Sequence, residues 1–349
     1  MSRPWPRSVT RLRRTTRSLA AGLLRLGASR AVILMYHRVA DGLVDPWGLA
    51  VGPANFRSQM EMIARDWHPV SLDELVEAVR RRSVPSRAVA VTFDDGYADN
   101  LEAAAPILVE HRVPATLFVT TEFVGRSGEP WWDELTALIL ERENLPETLA
   151  LQVGSAERRV HVPPSTEDDR PPRVNGIRPW LARPGTRLEA YHQIWTVLRA
   201  VAPAERSTLM AEVARWAGAP PPAPPRSSML SEPQLRELAA LPGVDIGCHT
   251  VTHPALPLCS REAQRGEVAA SREWVRRHLD LDPRHFAYPF GEWDAAAAAT
   301  VEELGLRSAC TTTAGPIRRG SQVYALPRVP VDDCDGTRLD EQLAAVIQP

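Results

Sequence analysis

The sequence predicts an α/β fold, a barrel of parallel strands covered by helices and interrupted by one helical insertion. Two patterns carry this. From residue 31 onward, short apolar runs rich in β-branched residues alternate with helix-length amphipathic segments. The runs are apolar nearly throughout rather than at every second residue, as strands buried on both faces require. Seven or so such units favour a barrel over an open sheet, and 349 residues accommodate one barrel of about 250 with an insertion.

In chain order, strands are expected at Ala31–His37, Val89–Asp94, Ala115–Thr120, Val244–Cys248, His285–Tyr288, Arg307–Thr312 and Tyr324–Val329. Helices are expected at 55–65, 72–82, 98–111, 260–278 and 294–304. Residues 126–228 break the rhythm, with helical pieces at 133–143, 187–200 and 204–217 between Pro-rich stretches such as Ala219–Pro225. The expected organisation is therefore an N-terminal arm, 1–30, and a barrel domain, 31–349, interrupted at about 126–228.

Composition excludes several classes. Apolar residues at 44% and charged residues at 24% rule out wholesale disorder. The basic residues are all Arg, with no Lys anywhere, which removes a Lys Schiff base and a Walker A phosphate loop. The net charge is −2, but residues 1–30 hold eight Arg and no acid, leaving −10 on the rest. Such an acidic body is a poor nucleic-acid binder, so no nucleic-acid partner is expected. The four Cys (248, 259, 310, 334) form no C-x-x-C pair.

In the arm, Leu12, Leu19, Leu23 and Leu26 fall on one helical face, opposite Arg13, Arg14, Arg17 and Arg25. The pattern suits either peripheral contact with an anionic membrane through residues 1–28 or a frayed basic tail. The apolar stretch Leu19–Leu24 is short and stopped by Arg25, unlike a signal peptide, and no run of 18 apolar residues occurs. The expected location is cytoplasmic or peripheral to the inner membrane.

Three polar clusters stand at the ends of apolar strands. Thr-Phe-Asp94-Asp95-Gly96 places two adjacent carboxylates after a buried strand, costly unless a cation or proton neutralises them. Neighbours in an extended segment point apart, so the two should have different tasks. His249-Thr-Val-Thr-His253-Pro places His residues at i and i+4, able to converge on a metal if the chain turns helically. Cys248, beside His249, reads as a buried residue rather than a nucleophile. Tyr288-Pro289-Phe290-Gly291 is a turn able to aim a backbone N–H into a site. A carboxylate and two His form a common catalytic zinc set, and barrel active sites gather at the C-terminal strand ends, where all three clusters fall.

Thr-Phe-Asp-Asp-Gly (92–96), His-Thr-Val-Thr-His-Pro (249–254) and Tyr-Pro-Phe-Gly (288–291) resemble the first three motifs of the polysaccharide deacetylases, the NodB-homology, carbohydrate esterase family 4 proteins. The resemblance covers about 31–121 and 229–335. It implies a distorted (β/α)7-type barrel and metal-dependent removal of N-acetyl or O-acetyl groups from glycans. It also implies roles: Asp94 as catalytic base, Asp95, His249 and His253 as ligands of a divalent metal, zinc by preference, and the Phe290 N–H as oxyanion donor. The third motif normally carries an Arg that steadies the base. Here Ala287 stands there, and Arg328 in Leu-Pro-Arg-Val is the candidate substitute. The usual C-terminal general-acid His is missing, since no His follows His285. Met35-Tyr36-His37 resembles the N-terminal Tyr-His segment of permuted exopolysaccharide deacetylases, making His37 the candidate acid.

Tyr288, Pro289, Trp293 and Arg328 are candidates to line the glycan site. Trp131-Trp132 either stacks on sugar rings or anchors the insertion. Two rival readings remain: a small-molecule amidohydrolase on the same fold, and a catalytically silent carbohydrate-binding barrel. Serine hydrolase chemistry is disfavoured by the lack of a G-x-S-x-G elbow.

Overall fold

The computed structural model describes residues 30–126, 128–167, 176, 178–218 and 229–348. The amphipathic face expected within residues 1–28 and the Pro-rich stretch 219–225 lie outside the described residues.

The barrel is laid down in order. Strand β1 (Val32–Tyr36) leads through β2 (Arg38–Val39), β3 (Ala50–Val51), helix α1 (Pro53–Asp66), β4 (His68–Pro69) and helix α2 (Leu72–Arg80) to β5 (Ala88–Phe93). Helix α3 (Ala105–His111) and β6 (Ala115–Val119) follow. The inserted segment contributes α4 (Trp131–Ile139), the hairpin β7 (Thr148–Val153) and β8 (Ala156–His161), α5 (Arg187–Ala200) and α6 (Pro203–Trp216). The barrel resumes with α7 (Glu232–Ala239), β9 (Val244–Cys248), α8 (Arg261–Leu279), β10 (His285–Ala287), α9 (Ala295–Glu303), β11 (Ser308–Cys310), β12 (Val329–Pro330) and α10 (Gly336–Ile347).

Seven parallel strands in the order β11-β10-β9-β6-β5-β1-β12 curl into a distorted barrel. One stretch joins its two edges. Leu326 exchanges backbone hydrogen bonds with β11, its N–H reaching Ala309 at 2.9 Å, while Val329 and Pro330 pair with Leu34 and Met35 of β1. The continuous strand expected at Tyr324–Val329 is thus split between two neighbours. Pro327 and Pro330 lack the N–H that an unbroken ladder needs.

The strand faces explain the apolar runs. Val32, Leu34 and Tyr36 pack with Val89, Val91 and Phe93 against Phe56, Met60 and Ile63 of α1. Ile33, Ala90, Phe118, Ala287 and Cys310 point the other way into the barrel. Each such aliphatic or aromatic side chain contributes about 1.5–3 kcal/mol on burial. The insertion builds a core of its own from Leu135, Ile139, Leu149, Leu151, Tyr191, Ile194 and Val213. It is not purely helical, because the β7–β8 hairpin forms one wall.

Candidate active site

Strand β5 delivers the two carboxylates and then turns sharply. The Asp94 N–H still donates to Tyr36 O at 3.0 Å, as part of the sheet, but Asp95 (φ 73°) and Gly96 (φ 94°) leave it with left-handed backbone. The neighbouring side chains therefore diverge, as expected of different tasks.

Asp94 faces Arg328. The guanidinium is fully buried and bonds both carboxylate oxygens, Nη1 to Oδ1 at 2.7 Å and Nη2 to Oδ2 at 2.6 Å. Its Nε donates to Thr311 O at 2.9 Å and Nη1 also reaches Thr92 Oγ1 at 3.2 Å, so its position is fixed. Burial pushes the Asp94 carboxyl up, but the Arg328 charge and its hydrogen bonds outweigh it and hold it well below the carboxylate range. Arg328 is Asp94's partner, not an open glycan contact.

Asp95 faces the two His residues. Its Oδ1 lies 3.4 Å from His249 Nε2 and 3.5 Å from His253 Nε2. His249 Nδ1 lies 2.8 Å from Ala287 O, which can only accept, so a proton sits on Nδ1 and Nε2 is the ring atom left to face Asp95. The position lacking the family's Arg thus contributes its backbone carbonyl.

His249 and His253 converge without the helical turn that their i, i+4 spacing would have used. Thr250 (φ 66°) and His253 (φ 54°) are both left-handed, and the His253 N–H donates to Thr250 Oγ1 at 3.1 Å. Glu267 of α8 clamps this loop, accepting from the Val251 and Thr252 N–H groups at 2.8 and 3.0 Å and from Thr252 Oγ1 at 2.6 Å.

The three side chains fit a metal. Their ligand atoms lie within 4.8 Å of one another, all three are buried, and Asp95 Oδ1 has no hydrogen-bond partner. A buried carboxylate oxygen without a donor, flanked by two imidazole nitrogens, is what a divalent cation satisfies. Burial lowers His253 to about 3, keeping the ring neutral and able to ligate.

His37, between β1 and β2, brings Nε2 to 3.9 Å from Asp94 Oδ2, with 14% of its side chain exposed. The third motif supplies Phe290, held left-handed at φ 59° with its ring 4.6 Å from that of His253. The turn requires Gly291, since a Cβ there would stand 2.0 Å from Thr312 Oγ1. Among the described non-glycine residues nine have positive φ, and four of them, Asp95, Thr250, His253 and Phe290, meet here. Strain concentrated this way marks a functional site without reference to motifs.

Other candidates sit differently. The Tyr288 side chain is buried away from the ligands, its hydroxyl donating to Tyr324 O at 3.0 Å, and Pro289 is buried beneath the turn. Trp293 is partly buried and stacks on Tyr288. Trp131 and Trp132, 8% and 6% exposed, anchor the insertion: Trp132 Nε1 donates to the Tyr97 hydroxyl at 2.8 Å and its ring lies 4.7 Å from His253. Cys248 is buried and its thiol pushed up to about 12, unsuited to nucleophilic attack. Sequence reasoning missed Glu267 and the ion pair of Arg199 with Glu292, which ties α5 to the Phe290 turn. A carboxylate fourteen residues beyond a His is no local signal.

A second alignment lies at the opposite end of the strands. Ser308 Oγ is 2.9 Å from His285 Nδ1, and His285 Nε2 is 3.4 Å from Asp73 Oδ1. Ser308 is fully buried, so no acyl group reaches it. The cluster is structural.

Comparison with known proteins agrees with the geometry. Two solved structures share the fold: a Streptococcus pyogenes deacetylase, PplD, in complex with acetate (TM-score 0.57, 18% identity, 92% of this chain and 100% of that one) and IcaB from Ammonifex degensii (TM-score 0.57, 20%, 92% and 98%). The poly-β-1,6-N-acetyl-D-glucosamine N-deacetylase of Escherichia coli is 22% identical over 303 residues, 85% of this chain and 36% of that protein. Its namesake from Staphylococcus epidermidis is 29% identical over 118 residues, 30% of this chain and 41% of that protein. The chain spans little more than a third of the length of these curated relatives. The polysaccharide deacetylase family profile matches residues 81–145 and 212–309, on either side of much of the insertion. Asp94, Asp95, His249 and His253 fall inside the matched blocks and His37 and Arg328 outside them, and over those blocks the chain carries the profile of the polysaccharide deacetylase family.

Proposed function

We propose that this chain is a metal-dependent deacetylase hydrolysing N-acetyl groups of a polysaccharide, as the names of its curated relatives describe for them. One observation carries the reading: the adjacent carboxylates divide, Asp94 onto a buried Arg and Asp95 onto two His.

Asp95, His249 and His253 would hold the metal, and zinc suits one carboxylate with two imidazoles. When bound, such a cation acidifies water and polarises the acetyl carbonyl. Asp94 accepts the proton of the attacking water. Arg328 occupies one lone pair on each Asp94 oxygen, leaving others for that proton, and keeps the carboxylate ionised at neutral pH. The Phe290 N–H, on the left-handed turn whose ring lies against His253, is the donor for the oxyanion in this reading. His37, within reach of the same space, gives its proton to the departing nitrogen, so water and amide become acetate and amine. An amide nitrogen needs that proton far more than an alkoxide does, which favours N-acetyl over O-acetyl substrates.

The test is mass spectrometry of acetylated glycans after incubation with zinc-loaded protein. Loss of acetyl groups from amino sugars supports the reading, and intact glycans throughout would refute it.

A further inference from the structure

An unbroken run of aromatic rings leads from the metal site to the surface. Phe290 meets His253 at 4.6 Å between ring centroids, and Trp195 of α5 meets Phe290 at 5.5 Å. Trp47 follows at 4.5 Å from Trp195, then Trp180 at 5.7 Å from Trp47. Exposure rises along the run: Phe290, Trp195 and Trp47 are partly buried, whereas Trp180 is 54% exposed.

The outer end is not ordinary packing. Trp180 and the 65% exposed Leu181 project from a short turn, Pro179–Leu181, entered through Arg178 with φ 63°. Holding two large apolar side chains in water on strained backbone costs stability, and such a patch marks a binding surface. The run is also braced. Trp47 Nε1 donates to the Tyr191 hydroxyl at 2.8 Å, and Arg199, paired with Glu292, lies over Trp195 at 5.6 Å and Phe290 at 5.3 Å.

We propose that this run is the track of the polysaccharide chain, with sugar units beyond the deacetylated one lying against Trp195, Trp47 and Trp180. The proposal rests on the glycan deacetylase reading. A pyranose has one flat C–H face and a polar rim, which an aromatic face beside a guanidinium complements. The run starts at the reacting centre and continues outward, so a ligand that follows it is a polymer rather than a single sugar. A membrane contact would use Trp180 and Leu181 but would have no need of continuity with His253.

The test compares β-1,6-linked N-acetylglucosamine dimer and hexamer. In the zinc-loaded wild type, kcat/KM is higher for the hexamer, and Trp180→Ala lowers the hexamer-to-dimer ratio about tenfold, the loss of one aromatic anchor. Trp180→Phe, which keeps a flat face, restores most of it. Calorimetric titration of the hexamer into Asp94→Asn protein, with and without Trp180→Ala, reads binding apart from turnover, with Kd expected to rise about tenfold. An unchanged Kd, or loss of binding to phosphatidylcholine vesicles in place of the hexamer, overturns the track. If the wild type deacetylates neither oligomer, the deacetylase reading fails, and the titration still decides the track.

Discussion

Arg328 grips Asp94 across 234 residues of chain, both partners being out of solvent and each carboxylate oxygen held by its own nitrogen. A buried charge left alone is far more costly than the pair is favourable, so breaking it is severe. Arg328→Gln is expected to lose about 3–5 kcal/mol of stability and most deacetylase activity. Arg328→Lys keeps the charge but cannot fork, so it should recover stability in part and activity poorly. Urea unfolding beside acetate release measures both. Wild-type stability in Arg328→Gln would contradict the fork's role.

His37→Ala separates an acid from a structural His. Loss of the general acid should cost about 10²–10⁴ in amide hydrolysis, whereas an activated aryl acetate expels a phenolate that scarcely needs a proton. The variant should keep its metal, lose most N-deacetylation and retain much aryl-esterase activity. Parallel decline on the two substrates would remove His37 from the mechanism.

Glu267 touches no ligand ring but holds the loop between His249 and His253 by two hydrogen bonds to its backbone and one to the Thr252 hydroxyl. Glu267→Ala should weaken metal affinity about 10–100-fold, as losses behind a ligand typically do. A competition titration with a chromophoric chelator reads this, and unchanged affinity would show that the loop holds itself.

At the other end of the barrel, His285 sets a pH window. Burial holds its pKa below the usual value, more than Asp73 restores, so the unfolded chain takes up this proton first as pH falls. Its stabilising contribution is present above about pH 6.5 and is lost below it. Asp73, lowered chiefly by the His285 ring beside it and then by the Arg284 and Arg307 charges, adds a separate window lost only below about pH 4. Metal-loaded His285→Gln protein should show a flatter stability profile between pH 7.5 and 5, on the order of the protonation cost of one buried group. Equal slopes in wild type and variant would assign the acid sensitivity elsewhere.

The parts of the fold governed by local pattern were legible in the sequence. Val32–Tyr36, Ala88–Phe93 and Ala115–Val119 are buried on both faces, and their unbroken apolar runs say so. The hairpin at 148–161 had its signal too, Leu149 and Leu151 alternating with exposed neighbours ahead of Gly154-Ser155, and it was masked by the helices around it. The His249–His253 turn had none. Its left-handed residues are Thr and His, which propensity assigns elsewhere, and a carboxylate from another helix imposes the shape. Trp131 and Trp132 show the same limit: stacking face and anchor have one composition, and only the packing around Tyr97 distinguishes them.

The central claim is that Asp94 and Asp95, adjacent in sequence, do different work. Metal content and acetate release, measured on the same preparations of wild type, Asp94→Asn and Asp95→Asn, test it most directly. Asp94→Asn should keep about one divalent ion per chain while its acetate release falls by roughly 10³ or more, and Asp95→Asn should lose both. An Asp94→Asn protein without metal, or an Asp95→Asn protein that retains metal and activity, would contradict the account.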